Sequence, residues 1–200
     1  MKIDNIIFDF GGVLVDWNPR YLFQKHFADE TAMEYFLKNI CTEEWNLEQD
    51  KGRSLADGTR LLQERFPDSH DMIQLFYDHW ETMLKCDIPG SVALLHRLNA
   101  KYKVYGLTNW STETLSIAYE RYPFFRVFEG VVVSGEEKLI KPDPRLFQIL
   151  LDRYQLVAAN SVFIDDNIKN VKAAETLGFH AIHFQSPEQL EATLAAINAL

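Results

Sequence analysis

The chain has 200 residues, 47% of them apolar, and a formal net charge of −9 at neutral pH. This length and apolar share suit one full core with a small accessory lobe and exclude a disordered chain. The acidic balance excludes a general affinity for nucleic acid or an anionic membrane surface, but not for one small phosphorylated ligand held by local positive charge. Cys41 and Cys86 are too few for a disulfide framework and stand in no metal-ligand spacing, so both are expected as reduced thiols. Met1 to Asn5 leads straight into a strand pattern with no long apolar stretch, signal-peptide flank or lipidation motif, so a cytoplasmic protein is expected.

The first element is the run Ile3 to Phe8, rich in isoleucine and followed by Asp9 and the pair Gly11-Gly12. It reads as a buried strand ending in a tight turn. A carboxylate at a strand end, next to glycines that let backbone approach a ligand, can attack phosphorus or bind a metal. Alone, Asp9 could equally cap the turn.

From Asp16 to Asp87 no strand pattern is convincing, and helical spacing recurs, as in Tyr21, Phe23, Phe27 and in Met72, Leu75, Phe76, His79, Trp80. The segment reads as an inserted helical lobe. Its hinges are expected at Asp16-Trp17-Asn18-Pro19 and at Cys86-Asp87-Ile88-Pro89-Gly90, where turn chemistry lets the chain change direction.

After the lobe, strand-like runs alternate with helical stretches, which predicts βαβ units and a mostly parallel sheet covered on both faces. Val104 to Leu107 is followed by Thr108 and Asn109, a hydroxyl and an amide able to donate to phosphate oxygens without adding charge, or to cap a helix. Val131 to Val133 precedes Lys138 and the segment Lys141-Pro142-Asp143-Pro144. There a lysine between restricted backbone units could neutralise a phosphoryl oxygen. Lys141 is preferred over Lys138.

Val162 to Ile164 ends in Asp165-Asp166-Asn167, with Asn170 following. Two adjacent carboxylates repel unless a cation lies between them and other ligands, and magnesium, which favours oxygen, fits. A last strand, Ala181 to Phe184, and a surface helix from Pro187 to Leu200 complete the chain. Sheets of this kind gather their ligands at the carboxyl ends of the strands, where all four polar clusters fall.

Taken in order, the clusters resemble the four motifs of the haloacid dehalogenase-like (HAD) superfamily over almost the whole chain. The resemblance implies an α/β fold, a doubly wound, Rossmann-like parallel sheet built from residues 1–16 and 88–200, with an α-helical cap at 17–87. Small bacterial phosphatases acting on glucose 1-phosphate are the most similar members, through an Asp-x-Gly first motif and an Asp-Asp-Asn fourth. The implied activity is magnesium-dependent hydrolysis of a small phosphorylated metabolite, by a monomer or weak homodimer.

Carried over by position, the resemblance makes Asp9 the nucleophile and a Mg2+ ligand, together with the Gly11 carbonyl and Asp166. Thr108 and Asn109 would hold the phosphoryl group, and Lys141 would orient Asp9 and balance charge. Asp165 and Asn170 would stand behind the ligands and tune them. Trp17, Arg20, Trp45, Asp50 and Arg53 are cap candidates for substrate specificity, whereas Trp80 is expected in the core.

One position departs from the pattern. The usual first motif carries an aspartate two residues after the nucleophile as general acid and base, and here that position is Gly11. Such a loss costs about two to four orders of magnitude in rate. Three accounts follow: a leaving group that needs little help, such as an anomeric oxygen; an acid supplied by the cap or solvent; or a slow or inactive enzyme. Asp16 is read as a hinge residue rather than the substitute. Haloacid dehalogenation, and phosphometabolite binding without turnover, are the competing functions.

Overall fold

The computed structural model describes residues 2–200. Among them, β1 (Asn5–Phe8), β4 (Lys103–Thr108), β5 (Gly130–Val133), β6 (Ser161–Asp165) and β7 (His180–His183) form a parallel sheet in the order β5-β4-β1-β6-β7. The intervening β2 (Val15–Trp17) and β3 (Leu84–Asp87) pair with each other, antiparallel, as a separate ribbon.

All four residues of β1 are buried, because helices cover both faces of the sheet and successive side chains point to opposite sides. Ile6 and Phe8 join the core cluster that contains Leu94, Leu98, Leu190 and Leu194, from the helices Pro89–Asn99 and Pro187–Ala196. Ile7 faces the other cluster, with Phe147 and Ala174 from the helices Pro144–Tyr154 and Ile168–Thr176. The chain leaves β1 for β4 on one side and returns as β6 on the other, so the carboxyl ends of these three strands open a crevice.

Between β2 and β3 the chain is helical, and two expectations change there. The stretch Asp16 to Asp87 does contain strands, since each end of it forms one leaf of the β2–β3 ribbon. The run from Met72 to Trp80 is not one helix, because the helix His70–Asp78 stops at His79 and a short turn, Trp80–Met83, follows. Asp16, in β2, accepts a hydrogen bond from the Tyr21 hydroxyl at 2.7 Å. Arg121 of the helix Thr112–Arg121 donates to the Leu84 and Lys85 carbonyls at 2.6 and 2.9 Å and ties the ribbon to the sheet domain. Both cysteines are free, Cys41 buried and Cys86 exposed. Among the described residues no helix is long and apolar enough to cross a membrane.

Candidate active site

Asp9 follows β1 directly, and its N–H donates to the Ile164 carbonyl at 2.9 Å, continuing the pairing of β1 with β6. Its carboxylate is thereby fixed at the crevice floor. Oδ1 accepts from the Phe10 N–H at 2.7 Å and from Lys141 Nζ at 2.9 Å. The chain then turns through Gly12, which has φ +73°, and a Cβ at that position would stand 2.2 Å from Asp166 Oδ2. Glycine is needed there on both counts.

Lys141 has a completely buried side chain, with its ammonium bonded to Asp9, to Asp165 at 2.7 Å and to the Leu107 carbonyl at 2.7 Å. Three donors meet three acceptors. Burial opposes its charge, but Asp165 and Asp9 outweigh that and hold its pKa above the usual lysine value. Lys138, by contrast, reaches across to the Gly52 carbonyl at 3.1 Å and has no part in this cluster. The Lys141 backbone is positioned by Asn109, whose amide donates to the Lys141 carbonyl at 3.1 Å and accepts from its N–H at 2.8 Å. Each end of that amide is thus committed once, which leaves its second Nδ2 N–H and the Asn109 main chain to meet a ligand.

Asp165 ends β6, is fully buried, and is consumed by structure. Besides Lys141 it accepts from the Asn167 N–H at 2.8 Å and from Asn170 Nδ2 at 3.0 and 3.1 Å. Asp166, next in the chain, stands at the mouth of the cavity, where partial loss of water around its carboxylate and the neighbouring Asp165 charge raise its pKa. Burial likewise pushes Asp9 up to about 7, against the pull of Lys141. The Thr108 hydroxyl, at the end of β4, is buried without a protein partner.

Asp9, Asp165 and Asp166 each offer an oxygen within 4.8 Å of the others. Three carboxylates against the single Lys141 leave two negative charges uncompensated, and the donors are all oxygen. This set fits a hard divalent cation such as magnesium.

Above the cluster lies a cavity of about 260 Å³ whose walls come from both parts of the chain. The sheet domain contributes Asp9, Gly11, Asn109, Trp110, Asp166 and Asn170, and the helical insertion contributes Glu43, Asn46, Leu47, Asp50 and Trp80, with Trp17 at the ribbon. Of the specificity candidates, Trp17 and Asp50 therefore reach the cavity. Arg20 pairs with Glu34 at 2.5 and 2.8 Å beside a different groove. Trp45 donates to the Gly58 carbonyl at 3.0 Å and packs edge-on to Phe76, and Arg53 is bound to Gln49 at 2.6 Å, so both serve the interior of the insertion. Trp80 is buried as expected, yet it also walls the cavity beside Trp110, with ring centroids 5.7 Å apart.

Ser134 escaped the sequence reading. Its hydroxyl accepts from the Trp110 N–H at 2.8 Å and donates to the Asp50 carbonyl at 2.5 Å, joining the two parts. The signal was present, since Ser134 follows the apolar run of β5 as Asp9 follows that of β1.

Acyl-CoA dehydrogenase family member 10 of Mus musculus is 30% identical over 207 residues, covering 96% of this chain but 19% of the mouse protein. A sesquiterpene phosphatase of Aspergillus oryzae is 26% identical over 88% of this chain and 87% of its own length. Among solved structures, an HAD family enzyme of Bacteroides thetaiotaomicron, in complex with magnesium and inorganic phosphate, superposes with a TM-score of 0.70 at 24% identity, covering 92% of this chain and 95% of that one. The family model for haloacid dehalogenase-like hydrolases matches residues 3–178. Because that match runs from before β1 to beyond the helix after β6, the ends of β1, β4, β5 and β6 all fall inside it, and the chain belongs to the haloacid dehalogenase-like hydrolase family.

Proposed function

We propose that the protein is a magnesium-dependent phosphatase of a small phosphorylated metabolite, with Asp9 as the nucleophile. The observation that carries this reading is the gathering of three carboxylates, Asp9, Asp165 and Asp166, with one lysine, Lys141, paired to the first two. Magnesium held by Asp9, Asp166 and the Gly11 carbonyl would screen the approach of a phosphate dianion to a carboxylate. Lys141 orients Asp9 and pulls against the rise that burial gives its pKa. The Thr108 hydroxyl and the Asn109 main-chain N–H are suited to the phosphoryl oxygens, and Asp165 with Asn170 holds Lys141 in place.

The helical insertion, residues 17–87, acts as a cap. Its indoles and amides, with Trp17 and Trp110, suit a polar ring, so a sugar phosphate is the favoured substrate. The relatives' phosphatase activity and the magnesium and phosphate in the Bacteroides structure support the same class.

Phosphate release from p-nitrophenyl phosphate and a sugar phosphate panel should require magnesium, stop on adding EDTA and resume when magnesium is restored. Release indifferent to EDTA would refute the reading. Halide release from 2-chloropropionate would point to dehalogenation, and tight ligand binding without release across the panel to a binding protein.

Gly12→Ala should both strain the backbone, by about 1–2 kcal/mol, and drive Asp166 from its position. The expected result is magnesium affinity lowered by about tenfold or more, measured by calorimetric titration, with a lower melting temperature.

A further inference from the structure

The site described so far has a nucleophile and no proton donor beside it. Position 11 is the natural place for one, yet a Cβ built on Gly11 meets nothing within 4 Å, so the cavity is open there. Asp50 lines the same cavity from the last turn of the helix Glu43–Asp50. It belongs to neither the carboxylate cluster nor an ion pair. Its carboxylate partners are neutral, the Asn46 amide at 3.1 Å and the Ser111 main-chain N–H.

Asp50 is also held where it stands. Besides the Ser111 contact, three bonds between Asp50 and Leu55 tie this loop of the insertion to the sheet domain. Ser134 donates to the Asp50 carbonyl at 2.5 Å, Lys138 to the Gly52 carbonyl at 3.1 Å, and the Leu55 N–H to Glu113 at 2.8 Å.

We propose that Asp50 is the general acid and base of the phosphoryl transfer, delivered from the insertion in place of a carboxylate at position 11. This rests on the phosphatase reading of Asp9. Burial pushes the Asp50 carboxyl up to about 8, with the Asp9 charge adding to the effect, so it carries its proton at neutral pH.

In the first step an Asp9 oxygen bonds to phosphorus and the bond from phosphorus to the leaving oxygen breaks. The electron pair stays on that oxygen, which takes the Asp50 proton and departs as an alcohol. In the second step water bonds to phosphorus and gives one proton to the Asp50 carboxylate. The bond to Asp9 breaks, its electron pair returns to the carboxylate, and inorganic phosphate leaves.

The test compares wild type, Asp50→Asn and the double variant Gly11→Asp/Asp50→Asn on p-nitrophenyl phosphate and on the sugar phosphate that wild type hydrolyses fastest. Asp50→Asn should lower turnover of the sugar phosphate by about 10²- to 10⁴-fold. With p-nitrophenyl phosphate, whose phenolate leaves without a proton, it should instead give a burst of about one nitrophenolate per enzyme followed by slow turnover. Adding Gly11→Asp should restore at least about tenfold of the lost rate. Beryllofluoride binding at Asp9, followed by fluorine NMR, should be unchanged in Asp50→Asn. Sugar phosphate turnover within about threefold of wild type overturns the proposal, as does an equal loss of burst and turnover with beryllofluoride still bound. Phosphate release that survives Asp9→Asn overturns the phosphatase reading and this inference with it, which separates the two failures.

Discussion

Replacing Asp9 by asparagine should lower magnesium-dependent phosphate release by at least about four orders of magnitude. The amide keeps the shape of the side chain but cannot attack phosphorus, and it removes one of three negative charges from the metal cluster. Single-turnover release of phosphate from the best substrate measures the effect directly, and residual activity above about one per cent would exclude Asp9 as nucleophile. The same variant carries an opposite expectation for stability. Burial raises the Asp9 carboxyl from 3.8 to about 7 in the metal-free protein, so between these values the folded state holds a proton that the unfolded chain has released. Stability therefore falls as pH rises through that window. Asp9→Asn removes this slope, and urea unfolding in EDTA should find the variant at pH 7 no less stable than wild type, with a gain on the order of 1–2 kcal/mol.

Lys141→Met should have the reverse balance, losing both activity and fold. Among the described residues the ammonium is the single cation bonded within the cluster, and its side chain is wholly buried against two carboxylates and a carbonyl. Removing one partner from a buried ion pair typically costs about 3–5 kcal/mol, because the charges left behind have lost both water and counter-ion. Urea unfolding measures that loss. Adding Asp165→Asn to Lys141→Met should recover part of it, since Asp165 would then carry no uncompensated charge. A Lys141→Met protein as stable as wild type would mean that the cluster is wet rather than buried.

The strand ends were legible because each is announced by its own apolar run. Ile6 to Phe8, Val104 to Leu107 and Val162 to Ile164 are buried without interruption, and the first polar residue after each run is committed to the crevice by the parallel sheet. Local signals failed where position depends on how two parts of the chain meet. Strands β2 and β3 are three and four residues long and carry Asp16, Lys85 and Asp87, so nothing in either run predicts a strand until they are paired. The helix Glu43–Asp50 is polar along most of its length, and its sequence could not tell that Asp50 faces the cavity while Arg53 turns back onto Gln49. Asn109 was read only as a donor to phosphate, and nothing local announced that its amide also clamps Lys141, a contact made across 32 positions of sequence.

The β2–β3 ribbon has a further consequence. Because its strands are neighbours, the insertion leaves and rejoins the sheet domain at one doorway, and its length and helix content place no demand on the sheet's register. An insertion of this kind can be exchanged whole in the course of descent, as domain insertions with adjoining ends generally can. In this chain the exchangeable piece carries Asp50, so an ancestor that swapped it would have changed its appetite and its proton supply in a single event, while the strand-end carboxylates stayed behind.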